Sequence, residues 1–332
     1  MNTNNFPRHL SVKNRETLLH PGSGIKVQNV KILTNPRYEW ERICRGRTRI
    51  AHSIDIDWKR FNLNDYIFTH DSIVSSVETE ANGYYIKPIC SKIVNLNGNA
   101  WTNPVLLATF RTFVGGYNFE EHVQIPSQSK GMILDAVLRP FQYRDEKGNI
   151  ANVYICDILV ATCKSNWELV QEIQTGKMRT LSMGTQCRSV QCSHCGKIFR
   201  DDEDSCDHIK YELGQMFVDE NGIERITAEL CGCSIWDAIK KEWIGDPESN
   251  TFIEASWVKH PAYVGAVVNH FINPKNVNPS LFKEASIEES IQGLFNVRVA
   301  DRYGRLSLNL LRQKQEIDKR EGMINRIISS KH

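Results

Sequence analysis

The chain has 332 residues, 41% of them hydrophobic and 24% charged, and a formal net charge of +2. That composition gives a sizeable core and excludes a general electrostatic pull toward nucleic acid or membrane, and no apolar run reaches the roughly 20 residues that span a bilayer. The N-terminus MNTNNFPRHL lacks the apolar segment of a secretory signal, so the ten cysteines point to a reducing compartment, to metal ligands and buried thiols rather than disulfides.

Residues 1 to about 30 are polar and punctuated by Pro7, Pro21, Gly22 and Gly24, which predicts a loose arm within an N-terminal segment 1–60. Arg42, Arg45, Arg47 and Arg49 form a basic cluster that could meet an acidic partner; such clusters are more often a solvated face. From Tyr66 the runs YIFTHDSIVSSVET, GYYIKPICSKIVNL and PVLLATFRTFV are β-branched and aromatic, separated by Asn-Gly turn signals, and read as strands. GMILDAVLRPFQYRD and NVYICDILVAT flank a hairpin turn at 146–149. Ser165 and Glu168 have capping-box spacing, and Trp167, Val170 and Ile173 predict a helix that Gly176 stops. That helix leads into a short apolar strand around Ser182. YELGQMFVDENGIERITAEL holds a further turn between strands, and TFIEASWV at 251–258 alternates as a strand. After PKNVNPS, residues 274–332 are charged and helical in pattern, with Leu306, Leu310, Ile317 and Ile324 among the apolar positions.

Three segments carry candidate nucleophilic chemistry. Ser182 lies in TLSMG, where the nearby glycine would let a reacting carbonyl approach the backbone; a lone strand serine is more often a packing residue. A serine hydroxyl needs a base, itself oriented by a third group. His122, in NFEEHVQIPSQSKG, sits at a loop-to-strand junction that suits an accessible base, with Glu120 and Glu121 beside it as alternative orienting groups. Glu254 lies mid-strand in FIEASWV, where strict alternation puts Phe252, Glu254, Ser256 and Val258 on one face. Such a carboxylate faces water or is buried with a partner, and histidine is a natural partner. Asp135 and Asp157 are further carboxylates on neighbouring strands.

Cys192 and Cys195 form a C-x-x-C knuckle, followed after an acidic loop by Cys206 and His208. Thiolates at about 2.3 Å and an imidazole nitrogen at about 2.1 Å close a tetrahedral zinc site, and two intervening residues let one turn present both sulfurs. The reading is a structural zinc ion with all positions filled by protein. Cys187, His194, Cys231 and Cys233 are alternative ligands. A zinc-ribbon reading would imply nucleic-acid binding, but the loop sequence RDDEDS opposes contact with phosphates.

Together the blocks NFEEHVQIPSQSKG, GKMRTLSMG and FIEASWVKHPAYVGA, in that order over roughly residues 60–270, resemble the capsid maturation (prohead) proteases of tailed bacteriophages, in their large-myovirus form. That family is related to the herpesvirus assemblins. The resemblance implies an α+β fold, a mainly antiparallel closed β-barrel flanked by helices, over residues 61–273. A zinc-binding insertion would occupy about 187–233, and residues 274–332 would form a linker and helical tail. It implies a serine endopeptidase with Ser182 as nucleophile, His122 as general base and later acid, and Glu254 as orienting carboxylate where assemblins carry a histidine. Oxyanion donors are first sought in the turn after Trp257. Expected substrates are scaffold and major capsid proteins and the chain itself, cleaved inside the procapsid in the bacterial cytoplasm. No membrane or specific nucleic acid is expected, and a homo-oligomer is allowed. The rival classes are a catalytically silent virion or scaffold protein and a zinc-dependent nucleic-acid-binding module.

Overall fold

The structure is a computed structural model and describes Trp40 and residues 49–51, 60–145, 147–263 and 265–272. The arm 1–30, the arginines Arg42, Arg45 and Arg47, and the helical tail after residue 274 lie outside the described residues.

The β-branched runs form β1 Arg49–Ala51, β2 Tyr66–Val77, β3 Asn99–Thr102, β4 Tyr117–Glu120, β5 Gly131–Arg144, β6 Ile150–Cys163 and β7 Thr180–Cys187. An insertion follows, with β8 Val190–Cys192, β9 Ile198–Phe199, β10 Met216–Val218, β11 Glu224–Ile226, β12 Glu229–Cys231, β13 Ser234–Asp237 and β14 Glu242–Gly245. The chain then returns to the main sheet with β15 Asn250–Val258 and β16 Val268–Phe271.

The main sheet runs β7-β15-β4-β5-β6-β2-β3-β12-β8-β9, with β1 beside β5 and β16 beside β2. Its spine is the long antiparallel ladder β5–β6–β2, where register shifts at Ile133/Asp135 and Ser72/Val74 add local twist. The fold is α+β, mostly strands, with the sheet curled into a half-barrel. The expected closed barrel is not formed. β7 is an edge strand, and among the described residues the stretch Ala266–Val268 reaches its outer side, through Leu181 N to Ala266 O at 3.1 Å and Val268 N to Arg179 O at 3.0 Å. Nor is the sheet antiparallel throughout: β15–β4, β2–β3 and β12–β3 pair in parallel. Parallel pairing needs a crossover, which the segment containing the 3-10 turn Pro88–Ile93 supplies between β2 and β3.

Two apolar runs expected as strands fold otherwise. Pro88 opens that 3-10 turn, and Pro104 opens the helix Asn103–Thr109; proline suits a first helical turn and cannot donate to a ladder. The helix Trp167–Gln174 forms as expected but without the capping box: its N-cap is Asn166, and Ser165 Oγ lies 3.0 Å from Cys163 Sγ instead. It buries Leu169, Val170 and Ile173 and leaves Trp167 outward.

Both faces of the sheet are covered. One core joins Ile73, Leu138 and Ile158 to Val105, Leu106 and Ile173 of the helices and to Leu181, Phe252, Ala255 and Trp257. A second packs Trp40, Phe68, Met132, Leu134 and Leu159 together. From the segment expected to precede the barrel, β1 pairs with β5 and Trp40 packs into this second core. The insertion is also tied in. β12 pairs with β3, and buried Arg225 bonds Asp219 and Glu80 at 2.9 Å each.

Candidate catalytic and metal sites

β15 fixes Glu254. A register shift between Phe252 and Glu254 breaks the strict alternation, so Phe252 joins Ala255 and Trp257 in the core while Glu254 and Ser256 turn to the opposite face. This corrects the expectation that Phe252 shares the face of Glu254. Glu254 is 1% exposed, and its carboxylate is fully engaged: His122 Nδ1 lies 2.9 Å and Gln124 Nε2 3.4 Å from Oε1, and Ser256 Oγ donates to Oε2 at 2.6 Å. An ionised carboxylate only accepts, so the His122 proton facing it sits on Nδ1 and Nε2 is left for another group.

β4 delivers the histidine. Just past it, Glu120 O accepts from Val123 N at 3.1 Å, closing a turn whose central residues Glu121 and His122 have φ of 48° and 57°. Non-glycine residues rarely take that conformation, and it persists where surrounding contacts over-determine it. Here Glu121 N donates to Trp257 O at 2.9 Å and Glu121 Oε1 accepts from Lys259 N at 3.2 Å. Neither neighbouring glutamate orients the imidazole: Glu120 pairs with Lys130 at 3.3 Å, and Glu121 faces the Lys259 amide. That amide lies in the turn where oxyanion donors were sought, and it is taken by Glu121. The His122 side chain is 41% exposed. Its pKa is raised above 6.5, first by the Glu254 hydrogen bond and against partial burial, with further charge contributions from Glu254 and Glu121.

Ser182 lies directly across from Ser256 in the β7–β15 ladder. Leu181 and Met183 on either side pack on the main core, so Ser182 shares the face of Glu254. Ser182 is 7% exposed, and among the described residues no hydrogen bond joins its Oγ to His122. Gly184 sits opposite Glu254, and a Cβ there would come within 2.6 Å of Glu254 Oε1 and 2.9 Å of Gln124 Nε2. The glycine read from sequence as room for a substrate carbonyl also leaves room for the Glu254 carboxylate. Sequence reasoning missed Gly184 in this role and missed Gln124 altogether.

The two other carboxylates are placed elsewhere. Asp135 accepts from Trp40 Nε1 at 3.1 Å, and Asp157 bonds Ser72, Arg139 and His70.

Cys192, Cys195, Cys206 and His208 come together, with ligand atoms all within 4.8 Å of one another, and this cluster could hold a metal ion. The knuckle turn is closed by Gly196 N to Cys192 O at 2.9 Å, with Gly196 at φ 73° against the Tyr84 ring. Cys206 caps the helix Asp207–Glu212, which carries His208 on its first turn. Three observations fit a cation. His208 Nδ1 is buried with no hydrogen-bond partner among the described residues. The His194 amide donates to Cys192 Sγ at 3.4 Å. The Cys206 thiol falls to about 7: burial pushes it up, but the Ile209 amide and the neighbouring Cys192, His208 and Cys195 outweigh it. Burial pushes its partner Cys192 up to about 12, so Cys206 is the thiolate of the pair. Of the alternative ligands, His194 stacks on Phe217 at 3.6 Å and meets His208 with ring centroids 3.7 Å apart, tilted by 30°; with His208 and Glu212 it forms a second group that could hold a metal ion. Cys187 bonds Asn250 and Cys233 lies against Ser234 O, both apart from the four.

No family model matches the chain, nor does any curated protein or solved structure. Among the described residues no helix is long and apolar enough to cross a membrane.

Proposed function

We propose that this chain is a serine endopeptidase of the prohead-protease type, cleaving scaffold and capsid proteins, and itself, during procapsid maturation. The observation that carries it is the 2.9 Å contact of His122 Nδ1 with buried Glu254, residues 132 apart in sequence, on the sheet face that holds Ser182. Ser182 Oγ attacks the scissile carbonyl while His122 Nε2 takes its proton; the imidazolium is stabilised by Glu254 and then protonates the leaving amine. Water repeats the sequence on the acyl-enzyme, regenerating Ser182. In this reading the Ser182–His122 hydrogen bond, absent among the described residues, forms when the substrate binds. The motif order supports the substrate class and the procapsid interior. Co-expression with scaffold and capsid proteins tests it: Ser182→Ala is expected to abolish processing, a loss of roughly 10⁶-fold in kcat for a serine nucleophile. Unchanged processing and self-cleavage would refute the assignment.

A second reading, a virion or scaffold protein that keeps the sheet without catalysis, is favoured by the missing Ser182–His122 hydrogen bond. Active-site labelling decides: a fluorophosphonate that modifies Ser182, and not the His122→Ala variant, excludes it.

The metal held by Cys192, Cys195, Cys206 and His208 is, in this reading, structural zinc. Three sulfurs and one nitrogen are the donor set zinc favours, and four protein ligands leave no position for a catalytic water. Purified protein is expected to contain one equivalent of zinc and Cys195→Ser to lose it and melt lower. Metal analysis finding well under one equivalent in the wild type would remove the zinc.

A further inference from the structure

Glu254 lies on the sheet face that holds Ser182, with its side chain 1% exposed. A carboxylate so buried needs hydrogen-bond partners, and three hydrogen bonds converge on it. His122 and Gln124 are on Oε1, at 2.9 and 3.4 Å, and Ser256 Oγ is on Oε2 at 2.6 Å. Gln124 lies on the exposed segment after His122, so its grip is loose. Ser256 is 0% exposed, and its Cα is paired with Ser182 on β7 and with Phe119 on β4. The backbone ladder that fixes the nucleophile also fixes the hydroxyl that holds Oε2.

We propose that Ser256 is a positioning residue of the site: its hydroxyl locks the rotation of the Glu254 carboxylate, keeping Oε1 on His122. Among the described residues the Ser256 hydroxyl bonds Glu254 and makes no hydrogen bond to Ser182 or His122, so it acts through Glu254. This rests on the proposed hydrolytic function for its effect on rate, but not for its effect on the imidazole. The titratable groups acting on His122 are Glu254 and Glu121, and Glu121 is held by the Lys259 amide, so the carboxylate whose orientation can change is Glu254.

The test uses the full chain in two arms. In the first, His122 is titrated by NMR in a Ser182→Ala background, so self-cleavage cannot interfere. Ser256→Ala is expected to lower the His122 midpoint toward 6.5, and Ser256→Thr, which restores a hydroxyl, to return it upward. In the second, the pH profile of peptide hydrolysis is measured. Ser256→Ala is expected to lower kcat about tenfold, the worth of one hydrogen bond to a charged group, and to move the acidic limb to lower pH with KM unchanged. A His122 midpoint that does not move in folded Ser256→Ala overturns the proposal, whatever the activity arm gives. So does a Thr variant that folds yet behaves as Ala does. If the Thr methyl prevents folding, Ser256→Cys, similar in size and a weak donor, is expected to fall between serine and alanine. A midpoint that moves while Ser182→Ala leaves processing intact supports the Ser256 role and removes the hydrolytic reading instead.

Discussion

Two buried carboxylates, Glu254 and Asp157, each meet a histidine and a serine, and the proposed function assigns catalysis to the Glu254 cluster alone. At Glu254 the serine on the carboxylate is Ser256, the histidine presents Nδ1, and its side chain is 41% exposed with Nε2 left over. At Asp157, Ser72 donates to Oδ1 at 2.7 Å, and His70 Nε2 and Arg139 Nε face Oδ2 at 3.3 and 3.2 Å. The His70 side chain is 2% exposed, with its ring 5.3 Å from Trp40 and 5.2 Å from His270. Residue types alone would rank the two equally. Access and the choice of ring nitrogen separate them: a base must reach solvent or substrate, whereas a buried ion pair between strands serves the fold.

The largest expected difference is in rate. Under the proposed function, Glu254→Gln keeps the shape but removes the carboxylate that orients His122, so kcat/KM should fall about 10⁴-fold, the loss expected when the orienting carboxylate of a catalytic triad becomes an amide. The pH profile carries the sign. The base works when neutral, so the rate rises with pH through the His122 pKa, which Glu254 holds above 6.5. Without the charge the limb moves to lower pH while the plateau drops. A plateau unchanged in the folded variant would break the assignment of Glu254.

At Asp157 the same kind of change should act on stability. Asp157→Asn leaves Arg139 and His70 without their anion, and breaking a buried pair costs about 3 kcal/mol, with activity per folded molecule unchanged. The Asp157 carboxyl is held below 3.8: burial raises it, but the hydrogen bond and charge of His70 and the charge of Arg139 overcome this. A depressed folded pKa contributes stability that is present above the unfolded value and lost as the pH falls through the folded one. Urea unfolding should therefore separate wild type and variant most near pH 7 and least below pH 3.8. Intact stability with lost activity would put the catalytic machinery in the wrong cluster.

Much of this was legible in the sequence where periodicity and turn chemistry agree. β2, β5, β6 and β15 are runs of β-branched and aromatic residues bounded by turn signals, and they form as read. The four-residue metal-type cluster was legible because its ligands are local. Illegible were events that depend on partners far away in the chain. An apolar run such as PVLLAT reads equally as strand or helix by hydrophobicity, and its proline was the better signal. The shift at Phe252/Glu254 is set by pairing with β7, and a period-of-two rule cannot anticipate a broken register. The open edge at β7 and the parallel pairings are likewise non-local.

Gly184 was visible in the sequence but its closeness to Glu254 was not, and it offers the smallest and most selective perturbation. Its backbone is in strand conformation, so alanine costs nothing in φ, and only space is at issue. The added Cβ would lie 2.6 Å from Glu254 Oε1, 2.9 Å from Glu254 Cγ and 2.9 Å from Gln124 Nε2. Glu254 cannot withdraw freely, because Ser256 holds its other oxygen and the side chain is buried. The carboxylate must move off His122 by an amount of order 1 Å, a misplacement that costs about 100-fold in rate. Gly184→Ala should therefore lower kcat/KM by that factor and shift the acidic limb in the same direction as Glu254→Gln. Because it acts through Glu254, the two changes should not add: in the Gly184→Ala, Glu254→Gln double variant the further loss beyond Glu254→Gln should be small. Full additivity would mean that Gly184 serves the substrate after all, as the sequence first suggested, and that the packing of carboxylate against glycine is incidental to the rate.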